Sequence, residues 1–178
     1  DLNGKTLTIQ DGNLRFSTCT IKNGNIVVGA QGDYSGNGVF YMFEDNVLTL
    51  DNVKVIAENI SGYSVFCMED SSNLVLENSE VTINGGAFNY GIIAAVSSGM
   101  NTINNSKITA NNMTGRGFQN GNYTIKGDSE ITLTGITKDG FYIGAKHTLD
   151  IQDTTQVNIT LNPDKEGRYG INLVEGAV

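Results

Sequence analysis

A short segment that begins with a small residue and continues with apolar residues returns six times along the chain. The six copies start at Gly38, Ser64, Gly91, Gly117, Gly140 and Gly170, and they read GVFYM, SVFCM, GIIAAV, GFQN, GFYIG and GINLV. We call each copy a cassette. Neighbouring cassettes begin 23 to 30 residues apart. A period of this length predicts one supersecondary unit per repeat, and such units stack into a solenoid.

Between the cassettes, a second series of residues keeps the same period. An apolar residue, one spacer and a turn residue recur at Ile9 and Asp11, Ile21 and Asn23, Leu50 and Asn52, Leu76 and Asn78, Ile103 and Asn105, Ile125 and Gly127, and Ile151 and Asp153. After each turn residue, apolar and polar residues alternate, which is typical of a half-buried strand. Each repeat is therefore expected to hold about three short strands and no helix.

A leucine-rich repeat is an alternative with a similar period, and LTLDN and LVLEN superficially match its strand. That fold requires Leu at several fixed positions and helical segments on its convex side. Here β-branched residues fill those positions instead. The 22 Gly and the single Pro also suit short strands joined by tight turns. The composition therefore favours an all-β solenoid.

The Asn-rich turns between very short strands resemble the right-handed parallel β-helix of the pectate-lyase-like superfamily. The resemblance is one of architecture and covers nearly the whole chain. It implies an all-β, right-handed parallel β-helix of about six to seven coils with three short parallel sheets, as a single domain over residues 1–178. Asn52, Asn78 and Asn105 would then lie above one another at a sharp turn, with left-handed backbone and hydrogen bonds between their side chains.

Alternation predicts which residues of each coil face the core. On the cassette side, the inward residues are predicted to be Val39, Val65, Ile92, Phe118, Phe141 and Ile171, together with Tyr41, Cys67, Ala94, Ile143 and Leu173. On a second sheet they are Leu48, Leu50, Leu74, Leu76, Ile103, Ile125, Leu149 and Ile151. The two cysteines, Cys19 and Cys67, are interpreted as small apolar core residues. Polar residues are expected outside, among them Lys54, Glu80, Lys107 and Glu130.

The same alternation places another column of cassette residues on the outside. This column consists of Phe40, Phe66, Ile93, Gln119, Tyr142 and Asn172, and it is bordered by Tyr63, Tyr90 and Tyr169. Exposed apolar surface tends to mark an interaction site, and aromatic rings flanked by amide and hydroxyl groups suit sugar rings. The candidate ligand-binding residues are therefore Phe40, Phe66, Ile93, Gln119, Tyr142, Tyr63 and Tyr90. In the alternative, an intercoil loop from Ile26 to Gly38 or Asn162 to Gly167, another domain or a second subunit covers the column.

Four carboxylates form the best candidate for a metal site. Glu44 and Asp45 follow one cassette, and Glu69 and Asp70 follow the next at nearly the same offset. Adjacent coils would bring them to about 5 Å, where calcium would neutralise them unless they turn into water. Calcium is therefore the one cofactor that the sequence leaves open.

Catalytic motifs of the polygalacturonase type do not occur. The paired aspartates, the Gly-His-Gly and the Arg-x-Lys of those enzymes are missing, and the single His147 lies near a turn. Arg116 and Asp139, one coil apart, are interpreted as a surface salt bridge, with Arg116 as the base of a lyase the less favoured alternative. A lyase or hydrolase would have to assemble its catalytic residues from several coils.

The net charge of the chain and the strands at its two ends indicate which partners it could contact. The formal net charge is −8, the pI is about 4.5 and the 11 basic residues form no cluster, which disfavours nucleic acid and anionic membranes as partners. Neither a signal peptide nor a hydrophobic run of membrane-spanning length is present. Strands reach both ends of the chain, so we expect a segment of a larger protein whose end coils contact flanking domains or neighbouring chains.

These features together predict a non-catalytic, extracellular β-helix module of a surface or secreted protein, of bacterial origin. Its function would be glycan binding or adhesion through the exposed aromatic column, with a polysaccharide, another glycan or a partner protein as ligand. Two alternatives stay open. One is a polysaccharide lyase or glycoside hydrolase with catalytic residues dispersed over the coils, and the other is a purely structural spacer.

Overall fold

The structure is a computed structural model that describes residues 1–29, 38–95 and 98–178. The described residues form strands and turns and contain no helix, so no helix long and apolar enough to cross a membrane occurs in them. In chain order the strands are β1 (Thr6–Ile9), β2 (Leu14–Phe16), β3 (Cys19–Val28), β4 (Phe40–Met42), β5 (Val47–Glu58), β6 (Ser61–Met68), β7 (Asn73–Glu77), β8 (Glu80–Asn84), β9 (Ala87–Ala95), β10 (Met100–Asn104), β11 (Lys107–Asn111), β12 (Phe118–Gln119), β13 (Asn122–Lys126), β14 (Glu130–Ile136), β15 (Phe141–Ile143), β16 (Leu149–Ile151), β17 (Gln156–Leu161) and β18 (Ile171–Leu173).

Each strand pairs in parallel with the strand one coil away, and the chain winds through about six turns. A seven-stranded sheet has the order β18-β15-β12-β9-β6-β4-β2, and because it holds the cassettes we call it the cassette sheet. An eleven-stranded sheet has two arms that meet at β5. The first arm is β16-β13-β10-β7, and the second arm is β8-β11-β14-β17. The remaining strands of this sheet are β3, which pairs with β5, and β1, which pairs with β3. The predicted parallel β-helix is confirmed, while its hand stays a prediction.

The sequence predicted three separate sheets, and the structure has three stacks of strands of which two are joined. The joining strand, β5, runs for 12 residues through the corner that interrupts the later coils. It pairs with β7 along its first part and with β8 along its second part. One uninterrupted strand therefore merges the first and second arms into a single hydrogen-bonded sheet.

The corner between the two arms is formed by residues with left-handed backbone. Asn52, Asn78 and Asn105 have φ angles of 53°, 48° and 45°, as the sequence predicted. Asn is one of the few residues with a side chain that adopts this conformation at little cost, because its short amide can hydrogen-bond locally. Gly127 and Asp153 continue the column with φ of 66° and 57°.

The predicted ladder of Asn side chains is only partly present. The Asn52 amide donates to Asn23 at 3.1 Å, but within the described ranges no hydrogen bond joins the side chain of Asn78 to either neighbouring Asn. Buried serines connect the coils instead. The hydroxyl of Ser79 accepts the N–H of Val53 at 3.0 Å. The same link is repeated in the next coil, where the hydroxyl of Ser106 accepts the N–H of Ser79 at 2.9 Å. It occurs again one coil further, where the hydroxyl of Ser129 accepts the N–H of Ser106 at 3.2 Å.

The core is a stack of apolar side chains enclosed by the coils. Leu48, Leu50, Leu74, Leu76, Ile103 and Ile125 have no exposed surface, as predicted. The cassette sheet contributes stacked rings, with centroids 4.8 Å apart for Phe40 and Phe66 and 4.3 Å apart for Phe118 and Phe141. The last coil is less enclosed, because Ile151 and Leu173 are 41% and 55% exposed.

The predicted alignment of the cassettes was wrong by one residue for the first three copies. Phe118 pairs with Ile93, not with Ile92, and Ile93 in turn pairs with Phe66. Phe40, Phe66 and Ile93 therefore face the core together with Phe118, and each has no exposed surface. Their prediction as exposed residues was wrong because the first three cassettes carry one residue more between the small residue and the inward-facing position.

That extra residue lies directly before the inward-facing residue, at the position that a glycine holds in the later coils. Ile92 fills this position in one coil, and Gly117, Gly140 and Gly170 hold it in the next three. A Cβ atom added to Gly117 would lie 2.6 Å from the Cδ1 atom of Leu133 and closer still to the carbonyl oxygen of Gly140. In the coil of Gly117, the side chain of Leu133 thus fills the space that Ile92 fills in the coil before.

We predict that Gly117→Ala lowers the free energy of unfolding by about 1–3 kcal/mol, because the added methyl overpacks a closed level of the core. Gly170→Ala is the matched control, since it lies in the same column and a Cβ atom there meets nothing within 4 Å. The control should change stability by less than about 0.5 kcal/mol. Urea denaturation measures both values, and equal destabilisation by the two substitutions would contradict the packing described.

Candidate functional site

The outward face of the cassette sheet carries one side chain per coil along its central column. In strand order these residues are Arg15, Tyr41, Cys67, Ala94, Gln119, Tyr142 and Asn172. Tyr41, Cys67 and Ala94 are buried, yet they are not part of the hydrophobic core cluster. They therefore lie on the opposite side of the sheet from the core. We call this surface the cassette face.

The structure keeps four of the seven predicted binding residues at this face. Gln119 and Tyr142 belong to the column itself, and Tyr63 and Tyr90 lie at its border. The other three, Phe40, Phe66 and Ile93, belong to the core for the reason given above. Their places on the face are taken by Tyr41, Cys67 and Ala94. The prediction that Tyr41, Cys67 and Ala94 point inward is consequently wrong as well.

At the N-terminal end of the cassette face, an arginine lies over two aromatic rings. The guanidinium of Arg15 is 5.2 Å from the ring centre of Tyr41 and 4.9 Å from that of Phe43. The hydroxyl of Tyr41 donates a hydrogen bond of 2.6 Å to Glu69. This bond, burial and the charge of Glu69 raise the pKa of Tyr41 to about 12. Stepping back by one period from Tyr41 leads to Arg15, so the repeat was the signal that could have identified it.

Two tyrosines form a ring pair at the middle of the face. The ring centres of Tyr63 and Tyr90 are 4.2 Å apart, with the ring planes tilted by 36°. Burial raises the pKa of Tyr63, and the neighbouring Tyr90 hydroxyl, Cys67 and Glu69 raise it further. Tyr63 lies on β6 four residues before Cys67, so the pair lies beside the part of the column where the side chains are small. Both rings stay partly exposed, so they are available to a ligand.

Cys67 lies in this middle part and is fully buried. Burial raises the pKa of its thiol to about 12, and the charge of Glu69 acts in the same direction. A thiol with such a pKa stays protonated at neutral pH, whereas the thiolate is the form that attacks electrophiles. Cys67 is thus a packing residue of the face and not a nucleophile.

A second arginine organises the C-terminal end of the face. The guanidinium carbon of Arg116 lies 4.2 Å from the ring centre of Tyr142. Arg116 donates to Gln119 at 2.7 Å and to Asp139 at 3.4 Å. The predicted pairing of Arg116 with Asp139 is confirmed, but its placement at the surface was wrong, because the Asp139 side chain is only 9% exposed. Asp139 is 6% exposed and also accepts hydrogen bonds from the backbone of Tyr169 and the amide of Asn172. Each oxygen of this carboxylate therefore has a donor.

The four carboxylates considered for calcium lie just beyond the cassette strands. Glu69 accepts the Tyr41 hydroxyl, and Asp70 accepts the N–H of Glu44 at 3.2 Å. The side chains of Glu44, Asp45 and Asp70 are exposed. Among the residues that the structure describes, no three or more His, Cys, Asp or Glu side chains are grouped so that they could hold a metal ion. The Tyr41 hydroxyl and the turn thus use Glu69 and Asp70, and the four carboxylates are not grouped as a metal site.

The loops proposed to cover the column lie partly outside the described residues. Positions 30–37 of the segment from Ile26 to Gly38 are not described, and Ile26 belongs to β3. The segment from Asn162 to Gly167 is a turn of the last coil, in which the side chain of Asn162 accepts the N–H of Asp164 at 2.9 Å. Most of that turn is exposed. Tyr41, Cys67 and Ala94 point away from the core and are nevertheless buried, so the middle of the column is covered from solvent. That one of these loops covers it stays a prediction.

Comparisons with protein-family models, with curated proteins and with solved structures found no match to this chain. The likeness to the pectate-lyase-like superfamily consequently stays a resemblance of architecture. Arguments about function rest on the geometry of this chain.

We predict that the Cys67 thiol makes stability depend on pH. The folded protein holds this proton above the ordinary thiol pKa of 9.0, whereas the unfolded chain releases it near that value. Raising the pH from 8 to 10 should therefore lower the free energy of unfolding by about 1 kcal/mol. Urea titrations in a Cys19→Ser background measure the loss. Cys67→Ala should remove about this amount and leave only the smaller loss from Tyr41 and Tyr63, whose raised pKa values act in the same direction. An unchanged loss in that variant would show that Cys67 does not contribute.

Proposed function

We propose that this chain is a non-catalytic, extracellular carbohydrate-binding module that contacts a polysaccharide through its cassette face. The observation that carries the proposal is the grouping of partly exposed tyrosine rings, arginines and hydrogen-bonding side chains from consecutive coils on one face. Tyr63, Tyr90 and Tyr142 supply the rings. Arg15 and Arg116 supply the charged donors beside them.

The chemistry of these side chains suits a sugar ring. A tyrosine presents a flat apolar ring that can pack against the C–H face of a sugar, and its hydroxyl can hydrogen-bond at the edge. Rings at the middle and at the C-terminal end of the same face favour a ligand that extends along the solenoid axis. A linear polysaccharide has that shape, and it would contact several coils at once.

Binding without turnover is favoured by the state of the reactive groups on the face. The pKa values of Tyr41 and Cys67 are both raised to about 12, so neither side chain ionises near neutral pH to act as base or nucleophile. Asp139 is engaged by Arg116, Asn172 and a backbone N–H. A general acid or base needs a site that the substrate can reach, and these contacts occupy the carboxylate.

Localisation and partners belong to the same proposal. The net charge of −8 and the mixed charges of the face favour a glycan over nucleic acid or an anionic membrane. Polysaccharides of bacterial or host surfaces lie outside the cell, so the module would be secreted or displayed on a cell surface. Flanking domains or neighbouring chains would then contact the end coils, where Tyr169 and Leu173 are exposed.

We predict that Tyr63→Ala, Tyr90→Ala and Tyr142→Ala each weaken binding to the best ligand of a glycan array by about tenfold, since each removes a stacking ring worth on the order of 1 kcal/mol. Thr109→Ala is the control, because Thr109 lies on the second arm and should not contact the ligand. Unchanged affinity in all three tyrosine variants would overturn the cassette face as the binding site.

An assay for new reducing ends and unsaturated products on the same polysaccharides separates the remaining functions. Binding without product supports the module. Product formed by the wild-type chain would make it a lyase or hydrolase. A chain that neither binds nor cuts any glycan of the array would be explained better as a structural spacer.

A further inference from the structure

A groove runs along the corner between the first and second arms, away from the cassette strands. Its volume is about 640 Å³, and its lining extends from Gly4, which lies one coil before Asn23, to Asp128 and Glu130. Because each coil rises by one strand spacing of about 4.8 Å, the groove is on the order of 20 Å long. Its walls are polar side chains that repeat once per coil. We call it the corner groove.

The first wall of the corner groove is the column of left-handed asparagines. Asn52, Asn78 and Asn105 are exposed, and the backbone conformation fixes the direction in which each leaves the corner. The side-chain amide of Asn52 donates to the side chain of Asn23. The side-chain oxygen of Asn105 accepts the backbone N–H of Asp128 at 3.2 Å. The side chain of Asn78 has no such bond within the described residues. Its amide therefore offers one acceptor and two hydrogen-bond donors at the centre of the groove.

The second wall consists of charged side chains that alternate in sign along the axis. Lys54 pairs with Glu80 at 3.2 Å, and Lys107 pairs with Glu130 at 2.8 Å. These four side chains are 38% to 48% exposed, so they are accessible from the groove. The positive and negative groups balance along this wall. Asp128 adds one further negative charge.

The polar groups on the floor of the groove already have hydrogen-bond partners. Ser79 and Ser106 are buried, their hydroxyls donate to backbone carbonyls of their own corner, and they accept N–H groups from the coil before. The floor is therefore held in place and has little hydrogen-bonding capacity left for a ligand. A ligand would have to be recognised by the amides and the charged groups of the walls.

We infer that the corner groove is a second binding site, and that its ligand is a linear, neutral, hydroxyl-rich glycan. Hydroxyl groups both donate and accept, so one chain can bond to amide nitrogens, amide oxygens, lysines and glutamates in turn. No aromatic ring lines the groove in the described part of the chain. Recognition here therefore uses hydrogen bonds, whereas the cassette face uses stacking.

Two other ligand classes fit the groove less well. A polyanion would meet Glu80, Glu130 and Asp128, and this excess of carboxylates disfavours it. An extended peptide would need a free strand edge to pair its backbone. The strands beside the groove at its centre, β7, β8, β10 and β11, are each paired on both sides. A neutral glycan has no charge that must be desolvated and no backbone that must be matched.

The test uses affinity electrophoresis of the full chain in gels that contain a neutral polymer, namely barley β-glucan, arabinoxylan or galactomannan. We expect at least one of them to retard the wild-type protein, with Asn78→Gly binding about fivefold more weakly because one hydrogen bond is lost. Glycine keeps the left-handed corner, as Gly127 does in the fifth coil, so this variant should melt close to the wild type. A double variant, Lys107→Ala with Glu130→Ala, should weaken binding further.

Two comparisons separate the corner groove from the cassette face. Tyr63→Ala with Tyr90→Ala should leave neutral-polymer binding by the groove in place, and Asn78→Gly should leave binding by the cassette face in place. The inference is overturned if no neutral polymer retards the protein, or if polygalacturonate or alginate retards it as strongly. It is also overturned if Asn78→Gly binds like the wild type, or if only the tyrosine variants lose binding.

Discussion

The in-register parallel pairing of each strand with the strand one coil away is the constraint on which the rest of the structure depends. It satisfies the backbone N–H and C=O groups of neighbouring coils and makes residues about one period apart into vertical neighbours. Inward neighbours then stack into a continuous core, and outward neighbours form columns of related chemistry. Left-handed Asn residues turn the chain at the corner, and the hydroxyls of Ser79 and Ser106 hold successive corners together.

Much of the architecture could be predicted from the sequence because the turn residues carry a strong local signal. Asn52, Asn78 and Asn105 recur with the period, and only a few residue types tolerate their backbone conformation. The alternating strands after them identify the inward residues of the second arm, such as Val81 and Ile108. The serine links were missed, since Ser after Asn is common in turns and nothing local shows that its hydroxyl reaches the next coil.

The register of the cassettes could not be obtained in the same way. Aligning the cassettes by their first small residue places Ile92 beside Phe118, whereas the sheet pairs Ile93 with Phe118. The difference depends on tertiary packing, because Gly117 has no space for a side chain next to Leu133. A shift of one residue exchanges the two faces of a strand. The candidate site changed accordingly, from a column with Phe40 and Phe66 to one with Tyr41 and Cys67.

The two surfaces of the solenoid differ in the interactions that they offer. The cassette face groups rings with arginines and places buried, small residues between them, so its specificity would come from stacking and from Arg15 and Arg116. The corner groove repeats amides and balanced charges without rings. Both follow from the same pairing, because a repeated residue type in the sequence becomes a continuous column in space. A linear polymer is the kind of ligand that such columns match.

The most direct test of this pairing is disulfide formation across the cassette face. Adjacent in-register residues of parallel strands have Cα atoms about 4.8 Å apart, within the range that a disulfide spans. In a chain with Cys19→Ser and Cys67→Ala, the pair Ala94→Cys and Gln119→Cys should form an intramolecular disulfide on mild oxidation, detected by mass spectrometry. The pair Ile93→Cys and Gln119→Cys should stay reduced, since its members lie on opposite sides of the sheet. The reverse outcome would contradict the register and the cassette face built on it.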